Sequence, residues 1–381
     1  MRKILICMCL LAVFSFPGPA DDLFVIGTGE GEGELLVPTR ILEGPDGNIY
    51  AFDRMDAYIK VYSPEGKYLR RMGGKGQGPG EVQRVDGLFF DFTAGGELFF
   101  TEFFQGHRWI TLMNLEGDEI RVVKPDLAKY FGIAKAAALV DGRFIVELNF
   151  LAEPEKEKDY FLQRFPRRLV IMDKEGRLQS TILEKNHISR ISLLDSGGDS
   201  PIPFTPNFIW CVPKGEKLVF SEGLGPMLEL YSSDGDRLKE LKTPLPSALV
   251  VTKKDLEAWK KKRREHMESR DPGWYARFGN VIEKYKKSIY KERPSFSSFE
   301  PTPEGNMVVR GLADEDSREV EQWLIASDGS LLGTLKSDLM GAVITRNFII
   351  FAKQDEDFIV TAYALKRSGT EKEDFARLSG M

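Results

Sequence analysis

Three histidines, one cysteine beyond the first twenty residues and a scatter of carboxylates are the side chains of this 381-residue chain that could do chemistry. His107, His187 and His266 fall in three different connecting segments with no paired spacing, so they do not read as an imidazole-rich zinc site. Cys211 lies between Trp210 and Val212, and apolar neighbours on both sides predict a buried, inert thiol. No serine nucleophile elbow, phosphate loop or zinc-protease helix motif occurs. Gly76 to Gly80 is glycine-rich, but it runs into a strand and opens no helix, so connector freedom explains it better than a phosphate cradle. Glu43, Asn149 and Asn207 carry hard oxygens that could reach a shared central point and hold a metal, the one route to hydrolytic chemistry that the residues leave open. None sits in a motif, and the sequence calls for no catalytic residue, cofactor or metal.

A second set of polar residues suits recognition better. Asp53, Arg54, Glu102, His107, Arg108, Glu147, Glu222 and Arg310 each end a predicted strand or start the connection after it. What those strands are follows from the turns. Asp46-Gly47, Gly95-Gly96, Asp141-Gly142 and Glu304-Gly305 each separate two short β-rich runs, and a second turn follows at Glu65-Gly66, Glu116-Gly117, Glu175-Gly176 and Asp328-Gly329. Two tight turns in a module of roughly 45 residues predict a four-stranded antiparallel unit of a β-propeller. Read this way, strands fall at 40–42, 49–52, 59–62 and 68–72 in the first unit, and four further complete units occupy 87–123, 136–183, 208–241 and 297–335. The sixth has only three, at 342–345, 348–352 and 358–365. Leu23-Phe24-Val25-Ile26 supplies the missing strand, because an open ring would leave an exposed sheet edge. The expected fold is an all-β, six-bladed propeller closed by its N-terminal strand.

Asp46-Gly47-Asn48-Ile49-Tyr50, Ile59-Lys60-Val61-Tyr62, Gly66-Lys67 and Gly76-Gln77-Gly78-Pro79-Gly80-Glu81 resemble the NHL-type repeat of exported bacterial six-bladed β-propellers. The likeness is strong over residues 38–81, periodic over the rest and absent from about 249 to 294. It implies the six-bladed ring and a binding or scaffolding role, with no shared catalytic motif. The enzymatic alternative is a metal-dependent, lactonase-like hydrolase with its site in the central channel.

Departures from the repeat mark the face expected to work. The first-to-second turn spacing is 19 and 21 residues in the first two units but 34 in the third, because residues 149–168 are inserted there. Residues 186–206, rich in Ser, Gly, Asp and Pro, then connect to the fourth unit, and about 249–294 connect the fourth to the fifth. In a four-stranded blade these excursions open on one face, where functional loops gather. The last excursion is helical. Thr252 to Asp255 forms a capping-box start, the helix runs on to Glu268 with Lys260 to Arg264 in a row, and Trp274, Phe278, Val281 or Ile282, Tyr285 and Ile289 make the apolar stripe of a second helix.

Arg2-Lys3, the apolar run Ile4 to Phe16 and the small residues Gly18 and Ala20 read as an export signal cleaved after Ala20. The domain reading is therefore a signal peptide at 1–20, the propeller at 21–367 and a polar, frayed C-terminal tail at 368–381. Loss of Arg2 and Lys3 takes the formal charge from −5 to −7. A mildly acidic exported protein is a poor partner for nucleic acid, and the mature chain carries no membrane span. The expected partner is a protein, peptide or carbohydrate, in the periplasm or outside the cell.

Overall fold

The computed structural model describes residues 22–27, 31–76, 80–82, 88–102, 109–127, 130, 132–150, 155–156, 160–193, 199–283, 290–312, 319–355 and 360–381. Among these the chain is mostly β, built of four-stranded antiparallel sheets with few helices. Five sheets follow one another, each with its strands paired in chain order. Sheet one holds Pro38–Glu43, Ile49–Asp53, Tyr58–Tyr62 and Tyr68–Gly73; sheet two holds Leu88–Phe92, Leu98–Glu102, Ile110–Met113 and Glu119–Val123. Sheet three holds Gly132–Ala138, Phe144–Asn149, Arg167–Met172 and Leu178–Lys185; sheet four holds Ile209–Cys211, Lys217–Ser221, Met227–Ser232 and Arg237–Lys242. Sheet five holds Phe296–Pro301, Met307–Gly311, Val320–Ile325 and Leu331–Ser337. Sheet six has Met340–Ile344, Phe348–Gln354 and Val360–Lys366 from the end of the chain, and its outer strand is Leu23–Ile26, with Val25 opposite Tyr363.

The residue pattern dictates this order. Second strands such as Ile49–Asp53 and Leu98–Glu102 are buried along their whole length, since apolar layers press on both faces. Fourth strands such as Arg237–Lys242 bury only Leu241 and face water elsewhere. Each main hydrophobic cluster lies between consecutive sheets. One joins sheets one and two, others join two to three, three to four, four to five and five to six, and a last one joins Phe348 and Ile350 of sheet six to Ile49 and Ala51 of sheet one.

The second turn of sheets one to five also packs on the fourth strand of the sheet before it. Gly117 has a positive φ that only glycine takes freely, and a Cβ there would lie 2.9 Å from Met72. Gly66 repeats this against Phe24 at 2.7 Å, so Leu23–Ile26 stands toward sheet one as the fourth strands of sheets one to four stand toward their successors.

Two segments differ from the sequence expectation. Residues 149–168 and 186–206 are not plain loops: Glu155–Lys156, Tyr160–Arg164, Ile188–Leu193 and Asp199–Pro201 pair into a seventh four-stranded sheet. Its apolar residues Ile191 and Leu193 find a partner in the helical excursion, which is what makes these short strands worth ordering. Helix α1 spans Lys253–Arg270 with the expected capping box, while the second helix is broken into α2 (Trp274–Phe278) and α3 (Asn280–Glu283) at Gly279. Trp274, Val281 and Ile282 bury themselves against Ile191, Leu193 and Ile202. Tyr285 and Ile289 lie outside the described residues.

The C-terminal stretch is not frayed. Helix α4 (Glu371–Arg377) starts at a Thr370–Glu373 capping box and buries Phe375 among residues of sheets five and six, with Leu378 just beyond it. Its carboxylates are held: Glu371 accepts from the Thr302 hydroxyl at 2.8 Å and the Glu304 amide at 3.0 Å, and Asp374 accepts from Arg367 Nε at 2.9 Å.

Candidate functional site

Where they are described, the polar residues singled out for recognition occupy different surroundings. Asp53 is fully buried and accepts from the amides of Leu36, Val37 and Met55 while pairing with Lys60 Nζ at 3.1 Å. Glu147 is buried between sheets three and four, accepting from Trp210 Nε1 and Arg167 Nε, each at 2.8 Å. These two carboxylates hold the scaffold. Glu222 is half-buried and lies 2.8 Å from both Lys185 Nζ and His187 Nε2; burial pushes its pKa up, but those two partners outweigh it and hold the carboxyl below its ordinary value. Arg54 is exposed beside Asp53, and Glu102 is buried at the end of its strand. His107 and Arg108 lie outside the described residues, as do Phe103 and Phe104. Phe99 and Phe100 are fully buried core residues. Burial pushes the Cys211 thiol up to about 12, which leaves it inert.

The first strands of the sheets carry the denser constellation. Arg40 of sheet one lies 4.1 Å over the Phe89 ring of sheet two, donates from Nε to the Phe90 carbonyl at 2.6 Å, and pairs with Asp91 at 3.3 Å and with Glu300 of sheet five at 3.9 Å. Lys135 of sheet three donates to the Trp210 carbonyl of sheet four at 2.7 Å and stands 4.7 Å from the Trp210 ring and 5.5 Å from that of Phe89. Burial pulls its ammonium below the ordinary value, opposed by Glu300 and reinforced by Arg40. Side chains of five first strands are thus linked by a chain of contacts.

Two cavities adjoin this cluster on the side of sheets one, five and six. Toward the tight turns, a cavity of about 380 Å³ is bordered by Glu43, Asp91, Thr93, Pro301 and Thr345. Toward the long connections, one of about 260 Å³ is lined by Thr39, Ser298, Arg310, Gln322, Gly341 and Phe351, among others. Arg40, Glu300 and Val343 border both chambers and stand between them. Of the six described residues in the polar set read for recognition, Arg310 alone lines the chamber toward the long connections. A charged residue interrupting an apolar first strand, as Arg40, Lys135 and Glu300 each do, was the available signal for the rest.

The three oxygens considered for a metal are apart. Glu43 is engaged at the tight-turn end by Thr345 at 2.6 Å and the Asn347 amide at 2.8 Å. Asn149 ends its strand at the opposite end of sheet three, and Asn207 donates to the Phe296 carbonyl at 2.8 Å. Among the described residues no three His, Cys, Asp or Glu side chains group as a metal set, and no helix is long and apolar enough to cross a membrane.

Neither a protein-family model nor a curated protein sequence matches the chain. Solved structures similar to it include a protein described as exported from Bacteroides fragilis, 10% identical with a TM-score of 0.49 over 91% of this chain and 95% of that one. A duf4221 family member from Bacteroides vulgatus is 10% identical, with a TM-score of 0.47 over 91% and 98%. Regucalcin, a calcium-binding protein from Agrobacterium tumefaciens, is 8% identical, with a TM-score of 0.43 over 87% and 92%. Likenesses of this degree say nothing of activity, ligand or partner, and the functional reading rests on the geometry above.

Proposed function

We propose that this chain is an exported six-bladed β-propeller of the NHL-repeat type that captures a protein, peptide or carbohydrate on the face where its insertions gather. The cyclic run of inter-sheet cores, with sheet six packed on sheet one, supports the ring. One observation carries the recognition role. The described parts of two excursions far apart in sequence, within 149–206 and 249–294, share one small core of Ile191, Leu193, Trp274, Val281 and Ile282, which supports a single accessory layer. Ring stability does not call for such a layer, whereas a variable surface on a rigid scaffold suits recognition.

Helix α1 turns its apolar side, Leu256, Trp259 and Met267, toward that core and leaves Lys254 and Lys261 exposed one heptad apart on the outer side. Excising the helices would strip the cover from Ile191 and Leu193, so charge reversal is the cleaner test. Lys254→Glu together with Lys261→Glu is expected to leave the melting temperature unchanged and to abolish capture of partners from an envelope extract, read by mass spectrometry against the wild type. Equal capture by the double variant would remove the accessory layer from the recognition surface.

A further inference from the structure

Ser298, Arg310 and Gln322 stand opposite one another on the first three strands of sheet five. Directly opposed residues share a face, and two residues along the same strands Val308 and Leu324 pack into the core shared with sheet six. The apolar layer between these sheets therefore gives way to a polar row at the long-connection end. Sheet six meets that row with Gly341, Ala342 and Ala352, and their small size leaves the cavity of about 260 Å³.

The polar groups in it are unmet. Gln322 is fully buried, and neither its amide oxygen nor its amide nitrogen has a hydrogen-bond partner. Arg310 makes no ion pair or side-chain hydrogen bond among the described residues, and burial alone pulls its pKa down. A guanidinium stays charged even so. Arg40, the other cation at the chamber, is already matched by Asp91 and Glu300. The chamber thus has one uncompensated positive charge with a planar, two-pronged donor, an amide beside it, and walls of Ile41, Val343, Ile350 and Phe351. A planar carboxylate meets a guanidinium fork with two parallel hydrogen bonds, and the Gln322 amide can donate to one oxygen. Glu300 on the chamber floor opposes a second negative charge. The volume suits a ligand on the order of ten non-hydrogen atoms.

We propose that the chamber between sheets five and six is a binding site for a single carboxylate carried on a short apolar body, held by Arg310 and Gln322. The carboxylate comes either from a free branched-chain acid or from the C-terminal residue of a peptide. This site is separate from the accessory layer, and its test does not depend on capture there.

Calorimetry on the purified protein with isocaproate, N-acetyl-leucine and N-acetyl-leucinamide tests it. The two acids are expected to bind with a Kd of about 1 mM or tighter, and the uncharged amide at least tenfold more weakly. Tighter binding of N-acetyl-leucine identifies a peptide terminus as the source, and tighter binding of isocaproate a free acid. Arg310→Gln and Gln322→Leu should each weaken acid binding tenfold or more, with Arg310→Lys intermediate. Both losses should come with an unchanged or raised melting temperature, because each removes a buried polar group that lacks a partner. Absence of binding by both acids, equal binding of the amide, or wild-type affinity in Arg310→Gln would each overturn the assignment.

Discussion

Lys60 is among the largest fully buried side chains of this molecule, and it is charged. Its ammonium reaches Asp53, Asp56 at 2.7 Å and the Glu34 carbonyl, so sheet one and the segment before it are tied by one cation. Removing one partner of a buried pair leaves the other uncompensated, and Asp53→Asn is expected to cost about 3 kcal/mol in chemical denaturation. The same carboxylate sets a pH dependence. Burial pushes its pKa up, but the Leu36, Met55 and Val37 amides and Lys60 outweigh that and hold it below the ordinary value. A folded pKa below the unfolded one means the stabilisation is complete above the unfolded value and is lost as pH falls through the folded one. Melting temperature should therefore fall steeply below about pH 4 in the wild type and less steeply in Asp53→Asn. Parallel curves would show that Asp53 does not control acid stability.

At the level of elements, the outer strand of sheet six and helix α4 have the most to lose. Without Leu23–Ile26, Val360–Lys366 would become a bare edge and Gly66 would lose Phe24. Deleting those four residues should lower stability by about 3 kcal/mol or more, judged from the apolar area uncovered, and an unchanged denaturation midpoint would defeat the claim. Phe375→Ala should cost about 3–5 kcal/mol if α4 is part of the core; a loss below 1 kcal/mol would mark it as peripheral. The strands of the six sheets were legible because alternation and glycine turns act over a few residues. The seventh sheet was not, since Tyr160–Arg164 pairs with Ile188–Leu193 across an intervening hairpin and the residues of Tyr160–Arg164 are all only half-buried. Helix α4 announced itself through Thr370, Glu373 and the apolar Phe375 and Leu378, but the surrounding charges read as a tail.

On the scale of the whole molecule, repetition explains both what the sequence disclosed and what it hid. A periodic chain reveals its architecture through any one repeat, as residues 38–81 do, because every sheet must solve the same packing problem. Its site is aperiodic by nature. Arg40, Lys135 and Glu300 come from first strands of three different sheets, and nothing in one repeat foretells that they meet. Arg310 was legible as the polar end of a second strand, while its partner Gln322 was hidden beside Glu321 at the start of a third strand. The export reading makes its own prediction: protein recovered from the cell envelope should begin at Asp21 on N-terminal sequencing, and recovery with Met1 intact would refute it.

Asp22 lies 3.5 Å from Arg377, so the two extremities of the described chain touch. A short peptide bridge could join them, and the polypeptide could then be reopened at an exposed turn such as Asp141-Gly142. Such a circular permutant would relocate both ends to a surface remote from the last sheet, where a reporter or an anchoring group could be fused without disturbing the seam.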